Sequence, residues 1–153
     1  MVSYPTETNG SAAPAAADVV RRFLLLLEDG HIDAAMELLD EDVEYINVSL
    51  PTIRGRERTR RALGGVFGRP GVGFEVYFHA ISSEGGTVLT ERTDVIVFGP
   101  VRIQLWVCGR FDVAGGKIVR WKDYFDWLNF GVALVRGLVG AVIPFLRPKP
   151  PVV

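Results

Sequence analysis

The sequence predicts an α+β fold in which helices cover one face of a curved antiparallel sheet. Three observations lead there. Apolar residues repeat at helical spacing twice in the first forty residues, and the period changes to two from Glu41 onward. Four long strand-like runs then follow, separated by Gly85-Gly86, Gly99-Pro100 and Gly115-Gly116. Consecutive strands joined this tightly run antiparallel, and a curved sheet of them can wrap a pocket.

Residues 1–14 mix Pro, Gly, Ser, Thr and Ala without an apolar period, and they lack the basic and long apolar regions of a signal peptide, so they read as a mobile arm. A helix is expected from about Ala15 to Asp29, where Val20, Phe23, Leu24 and Leu27 share a face and Gly30 supplies the left-handed stop. A shorter helix, His31 to Leu39, completes an αα-hairpin. Val43, Tyr45 and Asn47 then alternate with Glu44, Ile46 and Val48 in a strand that Pro51 ends. Arg54–Phe67 reads as a helix with a basic outer face. The runs Phe74–Ser83, Thr87–Phe98, Val101–Val113 and Lys117–Phe125 form the meander. In the third, Ile103, Leu105, Val107 and Phe111 make a dry face, whereas Arg102, Gln104, Arg110 and Asp112 make a wet one. The apolar stretch Trp127–Leu146 follows, and 147–153 is an extended tail, leaving one domain over 15–146.

Composition narrows the chemistry. A chain of 153 residues with 48% hydrophobic and 23% charged residues is an ordinary globular domain, too short for a (β/α)₈ barrel of about 250 residues. The net charge of −1 points to no polyanionic partner, and there is no G-x-S-x-G elbow. Cys108 is the single cysteine, which excludes an intrachain disulfide and a thiolate metal site and suits a reducing, cytoplasmic location. His31 and His79 have no metal-ligand spacing, so no metal is expected. Chemistry must therefore rest on carboxylates, Arg, Tyr and amides.

Two strands place such groups on the dry side. In Thr87–Phe98, Arg92 and Asp94 share a face with Val88, Thr90 and Ile96. Taken alone, R-x-D reads as a surface ion pair. In the last strand, however, Asp123 stands among Val119, Trp121 and Phe125. A buried carboxylate requires a donor, and the fork of Arg92 can engage Asp94 and Asp123 together. Tyr45 and Asn47 share the dry face of Val43. A tyrosine with a partnered hydroxyl and a strand-end asparagine explain them equally well, but with a carboxylate they could also hold one water by three hydrogen bonds.

The motifs Y-I-N at 45–47, E-R-T-D-V at 91–95 and W-K-D-Y-F-D at 121–126, in this order on this background, resemble the limonene-1,2-epoxide hydrolase family over about residues 18–140. That resemblance implies a cone-shaped α+β fold, with a strongly curved mixed sheet and helices closing a deep apolar pocket, in a homodimer. It implies a cofactor-independent enzyme that adds water to an epoxide without a covalent intermediate. Asp123 would be the general base on a water held also by Tyr45 and Asn47, Asp94 the general acid, and Arg92 the bridge between them.

Ile96, Leu105, Val107, Trp121, Phe125, Phe130 and Leu138 are the expected pocket lining, which suits a lipophilic epoxide of terpenoid, fatty-acid or sterol type. Two other readings remain at this point: an isomerase or cyclase using a pocket Asp as base, and a non-catalytic small-molecule-binding domain. The arginines at 54, 56, 58, 60 and 61 lack interleaved exposed aromatics and read as a solvated face rather than a nucleic-acid site. Arg136 near the middle of Trp127–Leu146, with Gly131, Gly137 and Gly140, disfavours a membrane span. That stretch is expected to close the pocket or pack on a second subunit, with lipid contact at most peripheral.

Overall fold

The computed structural model describes residues 15–152, so the arm expected at 1–14 lies outside the described residues. In chain order the elements are α1 (Ala16–Glu28), α2 (Ile32–Met36), β1 (Leu39–Asn47), β2 (Ile53–Arg54), α3 (Arg56–Phe67), β3 (Val72–Glu84), β4 (Thr87–Phe98), β5 (Val101–Ala114), β6 (Lys117–Tyr124) and α4 (Trp127–Val142). A 3-10 turn, Pro144–Leu146, follows α4. The strands form a single six-stranded sheet in the order β2-β1-β6-β5-β4-β3. The β1–β6 pairing is parallel and the others antiparallel, so the sheet is mixed.

The apolar stripe of α1 forms the main core. Val19, Val20, Phe23, Leu24 and Leu27 lie at helical spacing and are buried, and Gly30, at φ +75°, ends the hairpin's first arm. Phe23 meets the Trp121 ring edge-on at 5.0 Å, and Phe111 stacks with Trp121 at 6.1 Å. A second, smaller core joins Ile103, Leu105 and Val107 of β5 to Ala133 of α4. Gly137 brings α4 down onto β5, because a Cβ there would stand 2.5 Å from the Arg102 carbonyl oxygen.

Several element boundaries differ from the sequence expectation for local reasons. The second helix stops at Met36 because Leu39 already pairs with Ile118 of β6. Arg54 belongs to β2, and α3 starts two residues later, after Gly55 turns the chain at φ +92°. In β6 the register against β5 slips between Asp112 and Val113, so Ile118 faces the core, with no exposure, and Val119 is only half-buried. The basic stretch is laced to acids: Arg54 pairs with Glu44, Arg56 with Glu41 at 3.4 Å, and Arg60 with Asp33 at 2.8 Å. No helix among the described residues is long and apolar enough to cross a membrane.

Candidate active site

Cross-strand register gathers the polar residues into one row. Thr90 of β4 is paired with Gly109 of β5, Gly109 with Asp123 of β6, and Asp123 with Asn47 of β1. The adjacent row runs Val88, Phe111, Trp121, Tyr45. Both rows face inward because side chains alternate across each strand. Parallel pairing of β1 with β6 therefore sets Tyr45 and Asn47 beside Trp121 and Asp123. The Tyr45 ring stacks on Trp121 at 4.1 Å.

Arg92 begins on β4 and must cross β5 to reach Asp123 on β6. It does so over Gly109. A Cβ at that glycine would stand 2.3 Å from Arg92 Nη1, 2.6 Å from Thr90 Oγ1 and 3.0 Å from Asp123 Oδ1. The guanidinium is wholly buried. Its Nε donates to Asp94 Oδ1 at 2.9 Å and Oδ2 at 3.2 Å, its Nη1 to Thr90 Oγ1 at 2.9 Å, and its Nη2 to Asp123 Oδ2 at 2.7 Å. One cation thus holds two carboxylates, which are themselves buried at 8% exposure for Asp94 and 5% for Asp123. The other oxygen, Asp123 Oδ1, is buried and has no hydrogen-bond partner among the described residues.

The electrostatics follow from this packing. With both carboxylates ionised, the three groups carry a net negative charge in a poorly solvated place; one proton makes them neutral. Burial pushes the Asp94 carboxyl up to about 6, with Arg92 opposing the shift and Asp123 adding to it. Burial disfavours the Arg92 cation, but Asp123 and then Asp94 outweigh it and keep the group charged. Burial, then the Asp123 carboxylate, raises the Tyr45 hydroxyl far above its ordinary value and keeps it a neutral donor. Among the described residues no cluster of three His, Cys, Asp or Glu could hold a metal ion.

The row opens on a cavity of about 420 Å³ lined by Tyr45, Asn47, Asp94 and Asp123 at its polar end. Of the expected apolar lining, Ile96, Leu105, Val107, Trp121, Phe125 and Phe130 are all present. Leu138 is not. Ala133 and Gly137 of α4 pack on β5 and Gly140 packs on Arg147 and Pro148, only the first turn of the helix reaches the cavity, and Leu138 is half-exposed. The sequence reading missed the opposite wall, where Ala62, Leu63, Val66 and Phe67 of α3 line the cavity with Phe74 and Leu50. It also missed Thr90 and Gly109 as supports of Arg92; a lone glycine inside a strand was the available signal.

Comparison with known proteins agrees with this architecture. Residues 14–136 match the family model described as the limonene-1,2-epoxide hydrolase catalytic domain. The chain is 45% identical over 128 residues to the epoxide hydrolase EphG of Mycobacterium tuberculosis, covering 84% of this chain and 85% of that protein. It superposes on the structure of an LEH-like epoxide hydrolase of M. tuberculosis with a TM-score of 0.83 at 42% identity, over 88% of this chain and 95% of the other. An NTF2-like protein from Cytophaga hutchinsonii shares the fold, with a TM-score of 0.62 at 20% identity over 76% of this chain and 95% of that one.

Proposed function

Because the chain belongs to the limonene-1,2-epoxide hydrolase family, we propose that this epoxide hydrolase adds water to a lipophilic epoxide in one general acid/base step, giving a vicinal diol. The observation that carries the mechanism is the buried Arg92 bridge, which ties Asp94 to Asp123 while leaving Asp123 Oδ1 without a hydrogen-bond partner among the described residues.

Opening an epoxide with water needs one proton removed from the nucleophile and one delivered to the strained oxygen. Asp123 Oδ1 accepts the proton of a water that Tyr45 and Asn47 help to hold. The water oxygen forms a bond to one epoxide carbon, and the bond from that carbon to the ring oxygen breaks. Asp94, whose carboxyl is pushed up to about 6 by burial, gives its proton to the leaving oxygen. Afterwards Asp123 is protonated and Asp94 ionised, and exchange with water restores the pair. Burial of the two carboxylates and their mutual repulsion favour this singly protonated state, in which Arg92 leaves the three groups neutral overall.

The lining supports a lipophilic substrate of terpenoid, fatty-acid or sterol type, since beyond the four polar residues the cavity wall is apolar. An isomerase needs a base and an oxyanion donor rather than a cation between two acids, so this arrangement favours water addition. A homodimer is part of the same reading. Leu89, Trp106 and Tyr124, each about half-exposed on the sheet face turned away from the cavity, offer it a surface. Cys108, a free thiol on that face, suits a cytoplasmic location. A single turnover in ¹⁸O-water tests the mechanism: the label should enter the diol and none the protein. Label in an aspartate would mean a covalent ester and overturn the reading.

A further inference from the structure

The outer face of α4 is apolar and has no partner among the described residues. Leu128, Val132, Val135, Val139 and Val142 repeat at intervals of four and three residues, with exposures of 76%, 60%, 61%, 40% and 81%. Phe145, in the turn that follows, is 83% exposed. A contiguous apolar stripe of this kind marks a contact surface.

The charges around the stripe point to its occupant. From Trp127 to Val153 the only charged side chains are Arg136, Arg147 and Lys149. All three are exposed, and none forms an ion pair among the described residues. A two-fold pairing of this face with its own copy would bring like charges together. An anionic lipid surface instead takes up the apolar side chains and attracts the cations. With 16 residues, α4 is about 24 Å long, shorter than a bilayer core of about 30 Å, so it would lie on the surface rather than cross it. Trp127 belongs both to the outer groove and to the catalytic cavity, and Phe130 on the same first turn lines that cavity.

We propose that the outer face of α4 docks the protein on anionic membrane surfaces, placing the cavity mouth where a lipophilic substrate is dissolved. The delivery half of this inference rests on the lipophilic-substrate reading; the docking half does not.

Co-sedimentation of the full chain with phosphatidylglycerol–phosphatidylcholine vesicles tests it. Binding is expected to be at least about tenfold weaker to pure phosphatidylcholine. The double substitution Val132→Glu, Val135→Glu should lower binding by at least about tenfold. It should leave turnover of a water-soluble epoxide unchanged and slow turnover of an epoxide dissolved in the vesicles. Absence of wild-type binding, or undiminished binding by the double variant, overturns the proposal. So does dissociation of an oligomer by the double variant, measured by light scattering, because the face would then be a subunit interface. Vesicle binding by a protein that hydrolyses no epoxide would defeat the functional reading and leave the docking surface standing.

Discussion

Gly109 lies directly under Arg92: a methyl group at its α-carbon would occupy the position of the guanidinium, 2.3 Å from Nη1. The absence of a side chain on β5 is what lets a residue on β4 reach a carboxylate on β6. Gly109→Ala should therefore displace the guanidinium and break its bond to Asp123. Overpacking of this kind costs about 1–3 kcal/mol of stability. If Arg92 holds the two carboxylates as proposed, the expected rate loss is at least about tenfold, because a displacement of about 1 Å at a reacting group is at least that costly. Wild-type turnover by a folded Gly109→Ala protein would show that the crossing is not needed.

Thr90 tests the same bridge more gently. Its hydroxyl accepts from Arg92 Nη1 at 2.9 Å, and valine keeps its shape without the acceptor. Thr90→Val leaves one buried N–H unsatisfied, at a cost of about 1–3 kcal/mol. Thermal melting should record that cost, and turnover should fall less than in Gly109→Ala, since the bonds to Asp94 and Asp123 remain. Thr90→Ser, which restores the acceptor, should recover most of the loss. Equal defects in the valine and serine variants would assign the effect to packing instead.

Asp94→Asn, Asp123→Asn and Arg92→Gln should each lower epoxide turnover by at least about 10²-fold with the fold retained by circular dichroism. A binding domain without catalysis predicts the opposite, because buried ionic groups seldom help stability and their neutral replacements are often tolerated. Retained activity in all three variants would defeat the acid/base mechanism.

The Asp94 proton has a stated pH window. Its carboxyl is raised from 3.8 to about 6 by burial, so between about 4 and about 6 the folded protein binds this proton more than the unfolded chain does. This group's contribution to stability is thus fully present below about 4 and is lost as pH rises through about 6. The acid form that the proposed mechanism requires is lost over the upper part of the same range. Turnover should accordingly decline above about pH 6, and the slope of melting temperature against pH between 4 and 6 should shift upward in Asp94→Asn. A melting profile identical to wild type would remove Asp94 as the titrating group.

The buried Arg92–Asp94–Asp123 cluster was legible because its signal is local: Arg92 and Asp94 sit two apart on a strand that alternates cleanly, and Asp123 is the lone charge on the strand face it shares with Trp121 and Phe125. What failed depended on long-range pairing. The slip opposite Asp112 and Val113 moved Ile118 rather than Val119 into the core, and nothing in the local period records a bulge. Leu138 was misplaced because α4 is apolar on nearly every side, so periodicity could not say which stripe meets β5; Ala133 and Gly137 decided that by their small size. The α3 wall went unseen because its arginines drew the reading to the solvent side, while Ala62 and Val66 face the cavity.

That unseen wall provides the clearest control of substrate size. Ala62 of α3 lines a cavity of about 420 Å³ together with Asp94 and Asp123 of the sheet. Its side chain belongs to no hydrogen bond of the Arg92–Asp94–Asp123 cluster, and alanine suits a helix without being needed for it. Ala62→Phe would extend a ring into the cavity from a position that leaves Arg92, Asp94 and Asp123 in place. A bulky terpenoid or fatty-acid epoxide should then lose at least about tenfold in kcat/KM, mainly through KM, because space is removed and no proton-transfer group is altered. A small epoxide should keep a kcat within about twofold of wild type. Parallel kinetics on the two substrates separate the outcomes: equal losses on both would mean that α3 supports the catalytic geometry rather than bounding the substrate, and no loss on either would mean that the substrate does not occupy this cavity.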